Sequence, residues 1–289
     1  MRWKLAHEDH AIERASLSFH FKEPMPSKPW HGLVTEASQL FPKKGFLVSS
    51  REFTSQLILA GPQTDGSAPN FPYPQPLPEV VGWMFRAVAG VQIREELAIR
   101  RNQFVYTTIL YDRWSNFKGR IVDLLWWALN QALPLVDVEA VKLEYWDRFN
   151  FVGVPSEAAY REILRAESRY IPSFPLDDGE LWHSHIGFFT APGASARRLI
   201  NLNVDVLDLV SAATQGSSTP SEGSEQPEPQ RSVGIYSMAQ DTVNAEKIQT
   251  SAAIEPILDE MHGVLKGVLA DVITDEAARR ISLDPEASI

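Results

Sequence analysis

Apolar residues spaced two apart, interrupted by stretches where they recur at three and four, constrain this chain most. From Arg14 to Phe21, Ala15, Leu17, Phe19 and Phe21 fall on one side, and Arg14, Ser16, Ser18 and His20 on the other. Period two over that length predicts a half-buried strand. β-Branched and aromatic runs predict further strands over 46–59 (bent near Ser49 and Ser50), 83–93, 97–110, 138–151, 181–190, 198–210 and 232–238. Between them, Phe117, Ile121, Leu124, Leu125, Ala128 and Ala132 predict a helix over 116–133 that Pro134 ends. Shorter helices are expected over 30–40 and, with Ser156 as N-cap, over 156–168. An apolar stripe from Ile254 to Val272 predicts a helix docked on a sheet, with Pro256 in its first turn. Thr274 then caps a short last helix ending near Arg279 and Arg280.

Runs of strands between isolated helices place the chain in the α+β class, with antiparallel sheets and helices on one side. Its 289 residues are expected to form one domain of two halves, about 1–134 and 135–289, that share a strand–helix–strands outline. Two segments stand apart. Residues 61–78 carry six prolines around Phe71 and Tyr73, a Pro-rich excursion laid on the surface or offered to a partner. Residues 214–232 hold only Ser, Thr, Pro, Glu, Gln, Gly and one Arg, the composition of a disordered loop joining two strands.

Charge and composition remove several functions. With 27 basic and 37 acidic side chains the net charge is −10, which disfavours sequence-independent nucleic-acid binding. Cysteine is absent, which excludes thiol catalysis, disulfides and zinc-thiolate sites. The opening residues lack the apolar core of a signal peptide, and no run approaches the roughly 18 apolar residues of a membrane span. A cytoplasmic protein with no membrane partner is expected. No phosphate-binding loop, dinucleotide fingerprint, nucleophile elbow or His-Glu-x-x-His occurs, so no cofactor is implied. A nuclease-like Glu-x-Lys fails too, because Glu139 precedes Lys142 by one residue too many to share a strand face.

Four segments occur together and in order: AIERASLSFHF (11–21), YDRWSNFKGRI (111–121), VKLEYWDRFNF (141–151) and ILDEMHGVLKGVLADVIT (257–274). In this the chain resembles a sporadically distributed bacterial family of uncharacterised proteins of about this size. The shared features are Ile12-Glu13 in the first strand, Tyr111-x-x-Trp114 before the central helix, the Tyr145–Phe149 strand after it, and His262 in the closing helix. The insert at 214–232 is longer than the family's usual hairpin loop. The resemblance carries no activity or catalytic residue; the family's patchy occurrence implies a defence or mobile-element setting.

Among individual residues, Tyr111, Arg113, Trp114, Tyr145, Trp146 and Arg148 flank the central helix and have the composition of interaction hot spots and base-stacking surfaces. They are the candidate partner-binding set, against a reading in which the rings are core and the arginines pair with Asp112, Asp147 or Glu144. His183 and His185 share a strand face and are candidate metal ligands, with Asp177, Asp178, Glu180 or Asp205 as a third. The row Asn201, Asn203, Asp205 reads as the wet side of a strand, and His7–His10 as a solvated terminal segment. Trp126 and Trp127 cannot face the same way on a helix, so one is expected to meet a second surface. The leading expectation is a non-catalytic binding or adaptor protein that recognises a macromolecular partner, most simply another protein. The alternatives are a metal-dependent enzyme acting on nucleic acid or nucleotide through His183 and His185, and an RNA or single-strand binder stacking bases on Tyr145 and Trp146 beside Arg148.

Overall fold

The alternating segments build one antiparallel sheet of ten strands. A computed structural model describes residues 2–53, 79–191, 197–210, 229–243 and 248–283. The strands are β1 (Trp3–Leu5), β2 (Ile12–Phe21), β3 (Val48–Phe53), β4 (Val80–Ala89), β5 (Gln92–Arg100), β6 (Gln103–Thr108), β7 (Val138–Phe151), β8 (Trp182–Thr190), β9 (Arg197–Leu209) and β10 (Gln230–Thr242). The helices are α1 (Ser27–Leu40), α2 (Trp114–Ala132), α3 (Glu255–Val272) and α4 (Asp275–Arg280). The strand order is β3-β4-β5-β6-β2-β7-β10-β9-β8, and β1 continues the place of β2 beside the far end of β7. The fold is therefore α+β, with helix α3 packed on β10.

That order reads alike outward from the β2–β7 seam. β6, β5 and β4 follow β2 on one side, and β10, β9 and β8 follow β7 on the other. A long helix then succeeds each innermost returning strand, α2 after β6 and α3 after β10. The two helices lie alongside one another and share an acid: Trp114 Nε1 and Lys118 Nζ both bond Asp259, at 2.8 and 2.9 Å, and Trp126 Nε1 bonds Glu255 at the start of α3.

Alternation decides what each sheet face does. Leu17, Phe19, Leu143 and Val204 point to the helices and are fully buried, with Phe19 packed edge-on against Trp126 of α2. Trp127, on the neighbouring helix face, meets Phe41 beyond α1. The opposite face carries Arg14, Lys142, Glu144, Trp146, Arg148 and Tyr236. A buried ion pair fixes α3: Arg198 of β9 bonds Asp241 of β10 at 2.6 and 2.8 Å and reaches Glu260 at 3.2 Å.

Four expectations change. Residues 156–168 do not form a helix but two short 3-10 turns, Pro155–Glu157 and Tyr160–Glu162. Their backbone pairs outside the segment instead: Arg165 N bonds Val272 O, Thr274 N bonds Ile163 O, and Leu164 bridges Ile273. Tertiary partners outcompete a weak local preference there. The stretch from residue 80 to 108 makes three strands rather than two, because a turn at Gly90 (φ +61°) and another at Arg101-Asn102 interrupt the alternation without an obvious composition change. The chain start adds a strand that was not expected, β1, where Trp3 is buried, packed edge-on against Phe151, and donates from Nε1 to Ala159 O, while in the segment expected to be solvated His7, Glu8 and Asp9 are exposed and His10 is half-buried. Finally, residues 230–232 belong to β10, where Arg231 is buried against Asp208, the Tyr160 hydroxyl and Gly179 O. The Pro-rich excursion and the rest of the low-complexity loop lie outside the described residues. Among the described residues no helix is long and apolar enough to cross a membrane.

Candidate functional site

One position on β7 breaks the rule that its helix-facing side is apolar. Val141, Leu143, Tyr145 and Phe149 alternate inward, and Asp147 sits in the same row, 2% exposed. Its backbone is held on both flanks, opposite Ile12 of β2 and Ile235 of β10, so the carboxyl cannot swing to solvent without breaking the sheet. Neither carboxylate oxygen has a hydrogen-bond partner among the described residues. A buried carboxylate in that condition carries a desolvation cost that no described residue offsets, which singles the position out as a candidate site.

Asp147 borders a cavity of about 240 Å³ near the contact of α2 with α3, with its two carboxylate oxygens closed off behind the wall. His10 and Tyr111 wall one side, Trp114 and His262 another, with Tyr145 and Ser237 on the sheet floor. Arg113 and Lys266 lie on the lining, as do Ile281, Ser282 and Leu283 just after α4. Ser282 adopts φ +55°, a left-handed conformation, and Leu283 N then bonds Ala278 O at the end of α4.

The walls hold one another in place. Tyr145 Oη and His262 Nδ1 are 3.1 Å apart. The His262 ring stacks on Trp114, centroids 4.5 Å apart and planes 7° from parallel. Tyr111 meets Tyr145 edge-to-face at 5.6 Å. Burial sets the protonation states. Desolvation, with the Lys266 ammonium adding to it, lowers His262 to about 4, so its imidazole is neutral. Desolvation and then Glu13 raise Asp147 to about 7. His10 is pushed down by burial and by His7, and its Nδ1 has no hydrogen-bond partner among the described residues. Both tyrosines are pushed up by burial and stay neutral.

The six candidate partner-binding residues divide between the two faces of the sheet. Tyr111, Arg113, Trp114 and Tyr145 line the cavity. Trp146 and Arg148 point the other way, since they alternate with Tyr145 and Asp147. There Arg14 lies 3.7 Å over the Trp146 ring, Tyr236 packs 5.0 Å from it, and Arg148 pairs with Glu13 and Ser232. The set gathers at the central seam, not at a sheet edge. His183 and His185 are exposed on edge strand β8, in register with Asp205 and Asn203 of β9. Among the described residues no three His, Asp or Glu side chains are grouped to hold a metal ion.

Asp147, His10 and Ser237 are not sequence candidates for this site: the sequence offers Asp147 only as an ion-pair partner for an arginine, which no described residue provides, and His10 only as part of a solvated segment. The signal for Asp147 was present: extending the Val141–Leu143–Tyr145 alternation by two residues puts a carboxylate on the apolar face. Neither the protein-family models nor the curated proteins contain a match to this chain.

Proposed function

We propose that this is a binding protein that recognises a protein partner by taking one of the partner's side chains into the Asp147 cavity, in the defence or mobile-element setting that the family resemblance implies. One observation carries the reading: a cavity of about 240 Å³ at the central seam of the sheet, walled by the rings of Tyr111, Trp114, Tyr145 and His262 and bordered by a buried carboxylate, Asp147, that no described residue partners. Concave sites with a few convergent polar groups in an apolar wall are the ordinary form of a recognition pocket. Aromatic and arginine residues around it are the types that dominate binding energy. The chain's acidity favours a basic partner over a nucleic acid. Purification from the native host tests this with three chains: wild type, Asp147→Asn and Trp146→Ala. Wild type and Trp146→Ala retain the same stoichiometric partner, and Asp147→Asn loses it while remaining folded. Wild type recovered bare, or equal retention by Asp147→Asn, refutes the proposal.

A further inference from the structure

We infer that the chain forms a two-fold homodimer through one edge of its sheet, β8 pairing with β8 of a second copy, antiparallel and centred on Ile186. β8 ends the strand order, and β9 is its one strand neighbour among the described residues. No described loop or turn backbone bonds residues 182–190 from the other side. Its outer row of N–H and C=O groups is therefore a template for a further strand. Edges that stay single are blunted by charge, proline or a bulge. The opposite edge follows that rule: β3 carries Arg51 and Glu52 and a register shift between Glu52 and Phe53. β8 has no Lys, Arg, Asp, Glu or Pro, and it runs beside β9 from Trp182 to Thr190 without a shift. The cover over this edge is also incomplete. Trp182, Ser184, Ile186, Phe188 and Thr190 face the helix side and are half-exposed, whereas the same face of β7 and β10 is buried. The helix layer stops short of β8, leaving a groove of about 480 Å³ between Phe188 and Thr190 on one side and Gly263 and Gly267 of α3 on the other.

A strand from any protein would satisfy the backbone; the side chains select a second copy. A dyad at Ile186, the middle of β8, sets residue 182 against 190, 183 against 189, 184 against 188 and 185 against 187. On the helix side Ile186 meets its own copy, Phe188 meets Ser184 and Trp182 meets Thr190, so uncharged groups cover the half-exposed row. On the outer side His183 meets Phe189. His185 meets Gly187, beside which Asn201 Oδ1 lies as an acceptor for the imidazole. The charges agree. Arg197 lies 3.5 Å over the Phe189 ring, Asp205 is in register with His183, and neither is in an ion pair among the described residues. Because Phe189 faces His183 of the second copy, the dyad brings each Arg197 toward the Asp205 of the other chain, and does so twice. A chain of net charge −10 repels its own copies, and an uncharged strand bordered by two attractive pairs is where that repulsion is offset.

Sedimentation velocity of the full chain over a concentration series tests this. Wild type sediments as a dimer. Ile186→Lys, which sets two ammonium groups against each other at the dyad, sediments as a monomer. Arg197→Glu raises the dissociation constant several-fold, and Arg197→Glu with Asp205→Arg returns it to within about twofold of wild type. The chain has no cysteine, so oxidised Ile186→Cys forms a disulfide-linked dimer, and Ser184→Cys, whose two copies are offset along the strand, does not. Ser49→Lys on the opposite edge leaves the dimer intact. A wild-type monomer, a dimer that survives both Ile186→Lys and Arg197→Glu, crosslinking through Ser184→Cys in place of Ile186→Cys, or a dimer lost on Ser49→Lys overturns the inference.

Discussion

Replacing Asp147 with Asn should make the protein more stable, and increasingly so as pH rises. The carboxyl titrates at about 7 when folded against 3.8 when free, so between those values the unfolded chain is ionised and the folded one is not. The folded state binds more protons, so stability falls with rising pH across that window: it is complete below about 3.8 and lost as pH passes through 7. At about 1.4 kcal/mol per unit, the part of the shift lying between pH 5 and pH 8 corresponds to about 3 kcal/mol. Asn has the same shape and no charge, so it removes this loss. His262 acts in the opposite sense. Its folded value of about 4 lies below 6.5, so its contribution is present above 6.5 and lost as pH falls towards 4. The two slopes oppose each other in the wild type, and only the difference between variant and wild type isolates Asp147. Urea unfolding at pH 5, 6, 7 and 8 measures that difference. It should grow by about 3 kcal/mol from pH 5 to pH 8 with an unchanged dependence on denaturant. A difference that stays flat over the range would refute the claim that the carboxyl is buried without a partner.

Other substitutions report on the frame. His262→Gln should remove a loss of about 3 kcal/mol that the wild type suffers between pH 6.5 and pH 4, read from unfolding curves at those two values. Asp241→Ala leaves the Arg198 guanidinium buried beneath α3 without its bidentate partner, and should cost about 3–5 kcal/mol in denaturant unfolding. Replacing both members, Arg198→Met with Asp241→Leu, should recover most of that loss. Trp3→Ala removes a fully buried indole and its bond to Ala159 O, and should cost about 3–5 kcal/mol and speed amide exchange along β1.

What was legible in the sequence follows from where period and packing agree. β2, β7, β9, α2 and α3 each repeat one period for ten residues or more, and their faces emerged as expected. The misses lie where local pattern was not the deciding force. Residues 156–168 carry apolar spacing compatible with a helix, yet the backbone of residues 163–165 pairs with residues 272–274 at the end of α3, over a hundred residues away, and the buried Tyr160 sends its hydroxyl to Gly179 O and Glu180 O. β1 is three residues long, too short to show any period. The candidate set was chosen by residue type, and strand alternation then sent Tyr145 and Trp146 to opposite faces. Residue type identifies what can bind; the period decides which of those residues meet.

The position of the cavity explains why no short motif announced it. Its wall residues come from both sides of the β2–β7 seam: His10, Tyr111 and Trp114 precede residue 134, whereas Tyr145, Asp147, Ser237 and His262 follow it. β7 lies between β2 and β10, and α2 and α3 converge above that seam at Asp259. Neither set closes the space by itself, since the first lacks the carboxylate and the second lacks the Trp114 face against which His262 stacks. A site assembled this way carries its signature in the sheet order, not in adjacent letters. It also ties recognition to the integrity of the helix pair: the Trp114 and Lys118 bonds to Asp259 hold α2 and α3 together beside the cavity. Asp259→Ala should therefore weaken partner binding through the Trp114–His262 stack without removing any group from contact with Asp147, and retention of full affinity in a folded Asp259→Ala chain would show that the rings need no such bracing.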